Sequence, residues 1–120
     1  MTFVRVINLS YVDAESNEYT PWHLDVIYED GKYILLVMCK GSAGWILFLS
    51  TSTDNINYTT PKVVIQPSYD GWDTELYRSS IVKVNGEYMI YYSARNSQLK
   101  YHTSISKSKS LGRFIGVTAY

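Results

Sequence analysis

The 120-residue chain is short of the residues on which several common chemistries depend. It has one cysteine, Cys39, so no disulfide can form within it. Cys39 closes the apolar run YILLVMC, where a buried thiol is expected rather than a nucleophile. Two histidines and that one thiol give no basis for a zinc site or any other metal centre, and no cofactor is expected. Eleven basic residues balance eleven acidic ones, so nothing electrostatic points to nucleic acid or an anionic membrane as partner. No apolar run reaches the length of a membrane span. Met1 to Ser10 lacks the apolar core of a signal peptide, and for that reason the glycosylation-type triplets at Asn8 and Asn57 are set aside. Nor does any segment sustain a helical period, because turn-forming residues recur every few positions.

Tyrosine is abundant, with twelve copies alongside three tryptophans. Strand propensity accounts for most of them. A flat apolar ring carrying a hydroxyl also suits carbohydrate and protein surfaces.

Two stretches organise the chain. Leu76 to Ala94 reads as a strand, an Asn85-Gly86 turn and a second strand. Asn-Gly between apolar runs is a strong hairpin signal, since both central residues of the tight turn need positive φ. Pro21 to Cys39 repeats the pattern around Asp30-Gly31. Aligning Gly31 with Gly86 gives an offset of 86 − 31 = 55. Trp22 then meets Tyr77, His23 meets Arg78, Asp25 meets Ser80, Ile27 meets Val82 and Tyr33 meets Tyr88.

In chain order, Thr2 to Val12 alternates and reads as one strand, and Asp13 to Thr20 as a loop. The first hairpin is followed by strands at Trp45–Ser52 and Tyr58–Gln66. Pro67 to Thr74 is a loop. The second hairpin is followed by strands at Leu99–Ser106 and Arg113–Ala119. Matching Ser52 to Ser106 gives an offset of 54, which implies one residue deleted from a loop of the second repeat.

Repeats of about 50 residues built from short strands suggest propeller blades. Runs such as YILLVMC and WILFLS are apolar on both faces, as stacked blades require. The expected fold is all-β, with about two four-stranded antiparallel blades. Residues 1–12 form the outer strand of a preceding blade, 21–66 the first blade and 76–119 the second. A ring of five such blades needs roughly 275 residues. These residues are therefore expected to belong to a longer propeller, or to complete a ring by self-association.

Four motifs carry a family resemblance: Trp22-x-x-Asp25-Val26, Asp30-Gly31-Lys32-Tyr33, Leu49-Ser50-Thr51-Ser52-x-Asp54 and Tyr91-Tyr92-Ser93-Ala94. With them the chain resembles the five-bladed β-propellers of the glycoside hydrolase clan that includes arabinanases, β-xylosidases, invertases and levansucrases. It also resembles the related propeller heads of phage receptor-binding proteins, which bind cell-wall glycans. The resemblance implies a carbohydrate ligand, and with the phage branch a virion-tail or extracellular setting. Where the hydrolases carry an Arg-Asp-Pro motif, this chain has Arg78-Ser79-Ser80, so a carboxylate is missing. Glycosidic cleavage needs at least two carboxylates flanking the bond. Recognition of a glycan without hydrolysis by this chain alone is the leading expectation. A fragment of a hydrolase acting on arabinose-, xylose- or fructose-containing glycans is the alternative, and a scaffold that binds protein is a third.

The expected ligand-binding residues are Trp22, His23, Asp25, Asp70, Trp72, Asp73, Tyr77 and Arg78. Asp25 is open to three roles: an axial ligand to sugar hydroxyls, a structural carboxylate bonded to a neighbouring blade, or a catalytic base. Arg78 suits a glycan hydroxyl or phosphate, or else a salt bridge. His23 reads as a polar pore residue and His102 as structural. The loop Tyr69–Glu75 offers Trp72 as a sugar platform beside Asp70 and Asp73. The same acids would also serve as turn caps, and Asp73 with Glu75 is a bare possibility for a hydrolytic pair.

Overall fold

A computed structural model of the chain describes residues 7–41, 44–66, 75–95, 98, 100–111 and 115–117. These residues form two antiparallel sheets. The first runs β1 (Tyr11–Val12), β2 (Glu18–Glu29), β3 (Lys32–Gly41), β4 (Gly44–Ser52) and β5 (Lys62–Ile65), in that spatial order. The second runs β6 (Glu75–Val84), β7 (Glu87–Arg95), β8 (Tyr101–Ser108) and β9 (Ile115–Val117). Each sheet is a meander whose first long strand lies against the other sheet, and β2 packs on β6. This is the arrangement of two adjacent blades of a β-propeller.

Both expected hairpins form with the expected turns. Asp30 and Gly31 have φ of 54° and 76°, and Asn85 and Gly86 have φ of 51° and 78°. Positive φ at both central residues matches the turn to the right-handed twist of the strands.

Alternation along the strands decides what each face meets. On β2, His23, Asp25 and Ile27 face the second blade, while Leu24, Val26 and Tyr28 face outward and stay exposed. The interface is filled by Ile34, Leu36, Met38, Leu47 and Leu49 of the first blade and Leu76, Ile81, Tyr88, Ile90 and Tyr92 of the second. A smaller core lies on the far side of the first blade, where Tyr11 and Tyr19 pack against Phe48 with ring centroids 5.5 Å away in each case. Gly41 is required there, because a Cβ at that position would meet the Tyr19 ring at 2.5 Å.

Several boundaries differ from expectation. Within the stretch read as one strand from Thr2, Ile7 to Ser10 belong to no strand, and Tyr11–Val12 pair with Tyr19 and Glu18 of β2. This edge of the first blade therefore has a partner inside the chain. Residues 1–6 lie outside those described. Asp13 makes the reversal possible: its carboxylate accepts from the backbone of Glu15 and Asn17, and from the Asn17 amide and the Tyr19 hydroxyl. Glu18 to Thr20, read as loop, extend β2 instead. β5 is shorter than the span read from Tyr58.

The register also corrects the repeat. Ser52 lies opposite Tyr33, and Ser108 opposite Tyr88. Ser52 therefore corresponds to Ser108, not Ser106, at an offset of 108 − 52 = 56. The second repeat has gained one residue where a deletion was expected. The two serines also play matching parts. Ser52 accepts from the backbone of Asn55, and Ser108 from the backbone of Ser110, each starting a turn.

Candidate functional site

Both innermost strands break their ladder near the start. In β2 the register shifts between Pro21 and His23, leaving Trp22 as the extra residue. In β6 it shifts between Leu76 and Ser79, so that Tyr77 and Arg78 together stand opposite the single residue Ser93. A bulge leaves its extra residue unpaired and re-aims the side chain. The aromatic-plus-basic pairs matched in the sequence thus fall at the two bulges, at the same end of both blades.

Trp22 is 60% exposed. Its ring lies 5.6 Å from that of Trp45 at an interplanar angle of 69°, an edge-to-face contact. Trp45 is partly buried and packs on the interface core, so it backs the exposed ring. Lys40 lies opposite Trp45 across the β3–β4 ladder and places its Nζ 5.2 Å from the Trp45 ring centroid. The second blade repeats this arrangement. Arg95 lies opposite Tyr101, with its guanidinium carbon 6.0 Å from the Tyr101 ring and Nη1 3.4 Å from the Tyr101 hydroxyl. Lys40 and Arg95 correspond at an offset of 95 − 40 = 55, and Trp45 and Tyr101 at 101 − 45 = 56, the values the register gives for those strands. Tyr101 is 59% exposed. Arg78, also exposed, borders a shallow concavity with Ser79, Ser80, Tyr91, Ser93 and Thr103.

Asp25 is engaged across the blade interface. Its Oδ2 accepts the backbone N–H of Ile81 at 2.9 Å. A carboxylate in mid-strand thereby ties the two innermost strands together, one of the three roles open to it. At the equivalent place in the second blade stands Ser80, on that blade's far face. His23 is half-buried on the same side of β2 as Asp25. Asp70, Trp72 and Asp73 lie outside the described residues. The described residues hold no group of three or more His, Cys, Asp or Glu arranged for a metal. Burial pushes the Cys39 thiol up to about 12, which removes thiolate chemistry at neutral pH.

A second link between blades lies at the opposite end, beside the turns. Asp30 accepts hydrogen bonds from Lys83 and from the Tyr88 hydroxyl, the latter at 2.7 Å. The bonds from Lys83 and Tyr88 hold the Asp30 carboxyl below the usual range. Burial first, and then the bond to Asp30, push the Tyr88 phenol up to about 12.

Sequence reading reached Trp22, His23, Asp25, Tyr77 and Arg78; the fold gathers the backbone positions of Trp22, His23, Tyr77 and Arg78 at one end and puts Asp25 in mid-strand. It missed Lys40, Trp45, Arg95 and Tyr101. Those four lie at strand ends whose cross-strand partners depend on register, and the inferred offset of 54 set Trp45 against Leu99 rather than Tyr101.

With this geometry in hand the class of fold is plain: two blades of the β-propeller found in glycoside hydrolases. A structure from the GH130 family of mannoside phosphorylases, which includes hydrolases that target β-1,2-mannosidic linkages in Candida mannan, superimposes with a TM-score of 0.68 at 17% identity. It matches 93% of this chain and 36% of that one. A GH43 β-xylosidase/α-arabinofuranosidase from a compost metagenome gives 0.71 at 12% identity, covering 82% of this chain and 34% of that one. At these identities the likeness is one of fold.

Among individual proteins, the chain is 30% identical over 106 residues to the A type blood N-acetyl-α-D-galactosamine deacetylase of Flavonifractor plautii. The match covers 76% of this chain and 14% of that enzyme. No family model matches. The chain thus spans about a third of the structures it resembles, and a smaller part still of the deacetylase.

Proposed function

We propose that this chain contributes a carbohydrate-recognition surface, formed by the bulged starts of its two innermost strands, to a larger β-propeller protein. One observation carries the reading: Trp22 is held exposed in a β-bulge and backed by Trp45. An indole fixed in this way presents a flat apolar face to the C–H groups of a sugar ring, while the serines, threonine and arginine of the second blade's concavity supply hydrogen bonds. The relatives support this, because those compared are carbohydrate-active proteins. Recognition of a cell-surface or cell-wall glycan, as by the propeller heads of phage tails, is the specific form of this reading. From the sequence alone, Trp72, Asp70 and Asp73 are proposed as further sugar contacts.

A second reading is favoured by those comparisons: the chain is part of a glycoside hydrolase whose catalytic carboxylates lie largely on other blades. Ser80 at the position equivalent to Asp25, and the engagement of Asp25 with Ile81, argue against a complete carboxylate pair on these two blades.

Calorimetry with a panel of neutral oligosaccharides tests the proposal. Trp22→Ala is expected to weaken binding by on the order of 1 kcal/mol or more, with the unfolding transition retained. Unchanged affinity for a sugar that the parent chain binds would remove the platform. Release of reducing ends, abolished by Asp25→Asn, would favour the hydrolase reading.

A further inference from the structure

The same cross-strand pair, a cation held over an aromatic ring, occurs in both blades at the same end and in the same register: Lys40 on Trp45 and Arg95 on Tyr101. The residue types differ while the chemistry persists. We propose that these pairs are subsites for an acidic glycan, in which Lys40 and Arg95, positioned by the rings they lie over, pair with carboxylate or sulfate groups while the exposed Trp22 and Tyr101 rings contact sugar faces. This deepens the carbohydrate reading above and rests on it.

The side chains are suited to the task. An aromatic ring beneath a cation limits where the cation can go, so less side-chain freedom is lost when an anion arrives. A guanidinium offers a planar fork that matches carboxylate and sulfate oxygens alike. Arg78, exposed at the β6 bulge, and Lys100, exposed just before β8, add cations at this end of the second blade. Acidic residues also stand at these strand starts: Glu18 begins β2, and Glu75 begins β6 opposite Arg95 in the β6–β7 ladder. A neutral sugar would use the rings alone and gain nothing from Lys40 or Arg95. The two pairs sit on separate blades, so an oligosaccharide long enough to span both is bound more tightly than a short one.

The experiment compares three oligosaccharides of equal length on the purified chain: an oligogalacturonate, a sulfated oligomer and a neutral xylo-oligomer. Binding is read at low and at high salt. The acidic oligomers are expected to bind more tightly than the neutral one and to lose that advantage in high salt. Lys40→Gln and Arg95→Gln should each weaken acidic binding by roughly three- to tenfold and leave neutral binding unchanged. Lys40→Arg and Arg95→Lys should restore most of it, and thermal unfolding of each variant checks the fold. Preference for oligogalacturonate assigns the anion as carboxylate, and preference for the sulfated oligomer assigns it as sulfate. Equal binding of neutral and acidic oligomers, or glutamine variants that bind the acidic ones as the parent does, would overturn the inference while leaving carbohydrate recognition intact. If none of the three binds, both readings fall.

Discussion

Individual side chains join the two blades at two places along the interface. In mid-strand, Asp25 accepts the Ile81 N–H. Asp25→Ala strips a part-buried backbone donor of its partner, which costs about 1–3 kcal/mol. Asp25→Asn keeps an acceptor and should cost less; chemical denaturation of the two variants ranks them. Beside the turns, Asp30 and Tyr88 make stability depend on pH. The phenol of Tyr88 titrates higher when folded than the ordinary value of 10.0, at about 12. Its contribution to stability is therefore complete below pH 10 and is lost as pH rises towards 12. Tyr19, raised to about 12 by burial and by Asp13, acts in the same direction. Asp30 titrates lower when folded, so its contribution is present above the ordinary carboxylate range and is lost as the solution is acidified through the folded value. Melting temperatures between pH 9 and 12 should fall less steeply in Tyr88→Phe than in the parent, measured as the difference across the pKa interval of that tyrosine. An identical slope in the variant would show that Tyr88 contributes nothing to the alkaline loss of stability.

Strands and turns are where sequence reading succeeded most and where it slipped. Both hairpins were legible because Asp30-Gly31 and Asn85-Gly86 each call for positive φ at two successive residues, a demand few other dipeptides meet. Gly86→Ala leaves the added methyl in open space, so any loss is purely conformational and should be about 1 kcal/mol. A much larger loss would mean that the turn makes contacts beyond its own backbone. The short edge pairing of Tyr11–Val12 could not be read from alternation, because it depends on Asp13 organising a reversal through four hydrogen bonds. The bulges were also hidden: a bulge adds a residue without changing the polarity pattern around it, and only the ladder reveals that Trp22 is the extra residue. The repeat offset failed for a similar reason. Serine recurs throughout Leu99–Ser110, so identity alone matched Ser52 to the wrong copy, and pairing with Tyr88 was needed to settle it.

For the molecule as a whole, the two outer faces are not alike. The first blade presents Leu24, Val26 and Tyr28 outward, with Leu24 69% exposed. The second presents Val82, Val84 and Tyr91. In the repeat, Val82 corresponds to Ile27 and Ser80 to Asp25, so the second blade's outer face is the counterpart of the face by which the first blade grips its neighbour. In a longer propeller, further blades would cover both faces. Isolated, the chain is expected to associate with itself in a concentration-dependent way, as sedimentation velocity would record. A monomer at all concentrations would show that these faces do not attract each other. The asymmetry between the faces also gives any such assembly a polarity. Back of one copy on front of the next is a heterologous contact, and such contacts end only if the accumulated rotation brings the last copy round to the first; otherwise they grow into filaments. A copy spoiled on one face alone, as by Val82→Glu, would still join a growing end through its intact face and accept no successor, stopping growth as a chain terminator at substoichiometric amounts.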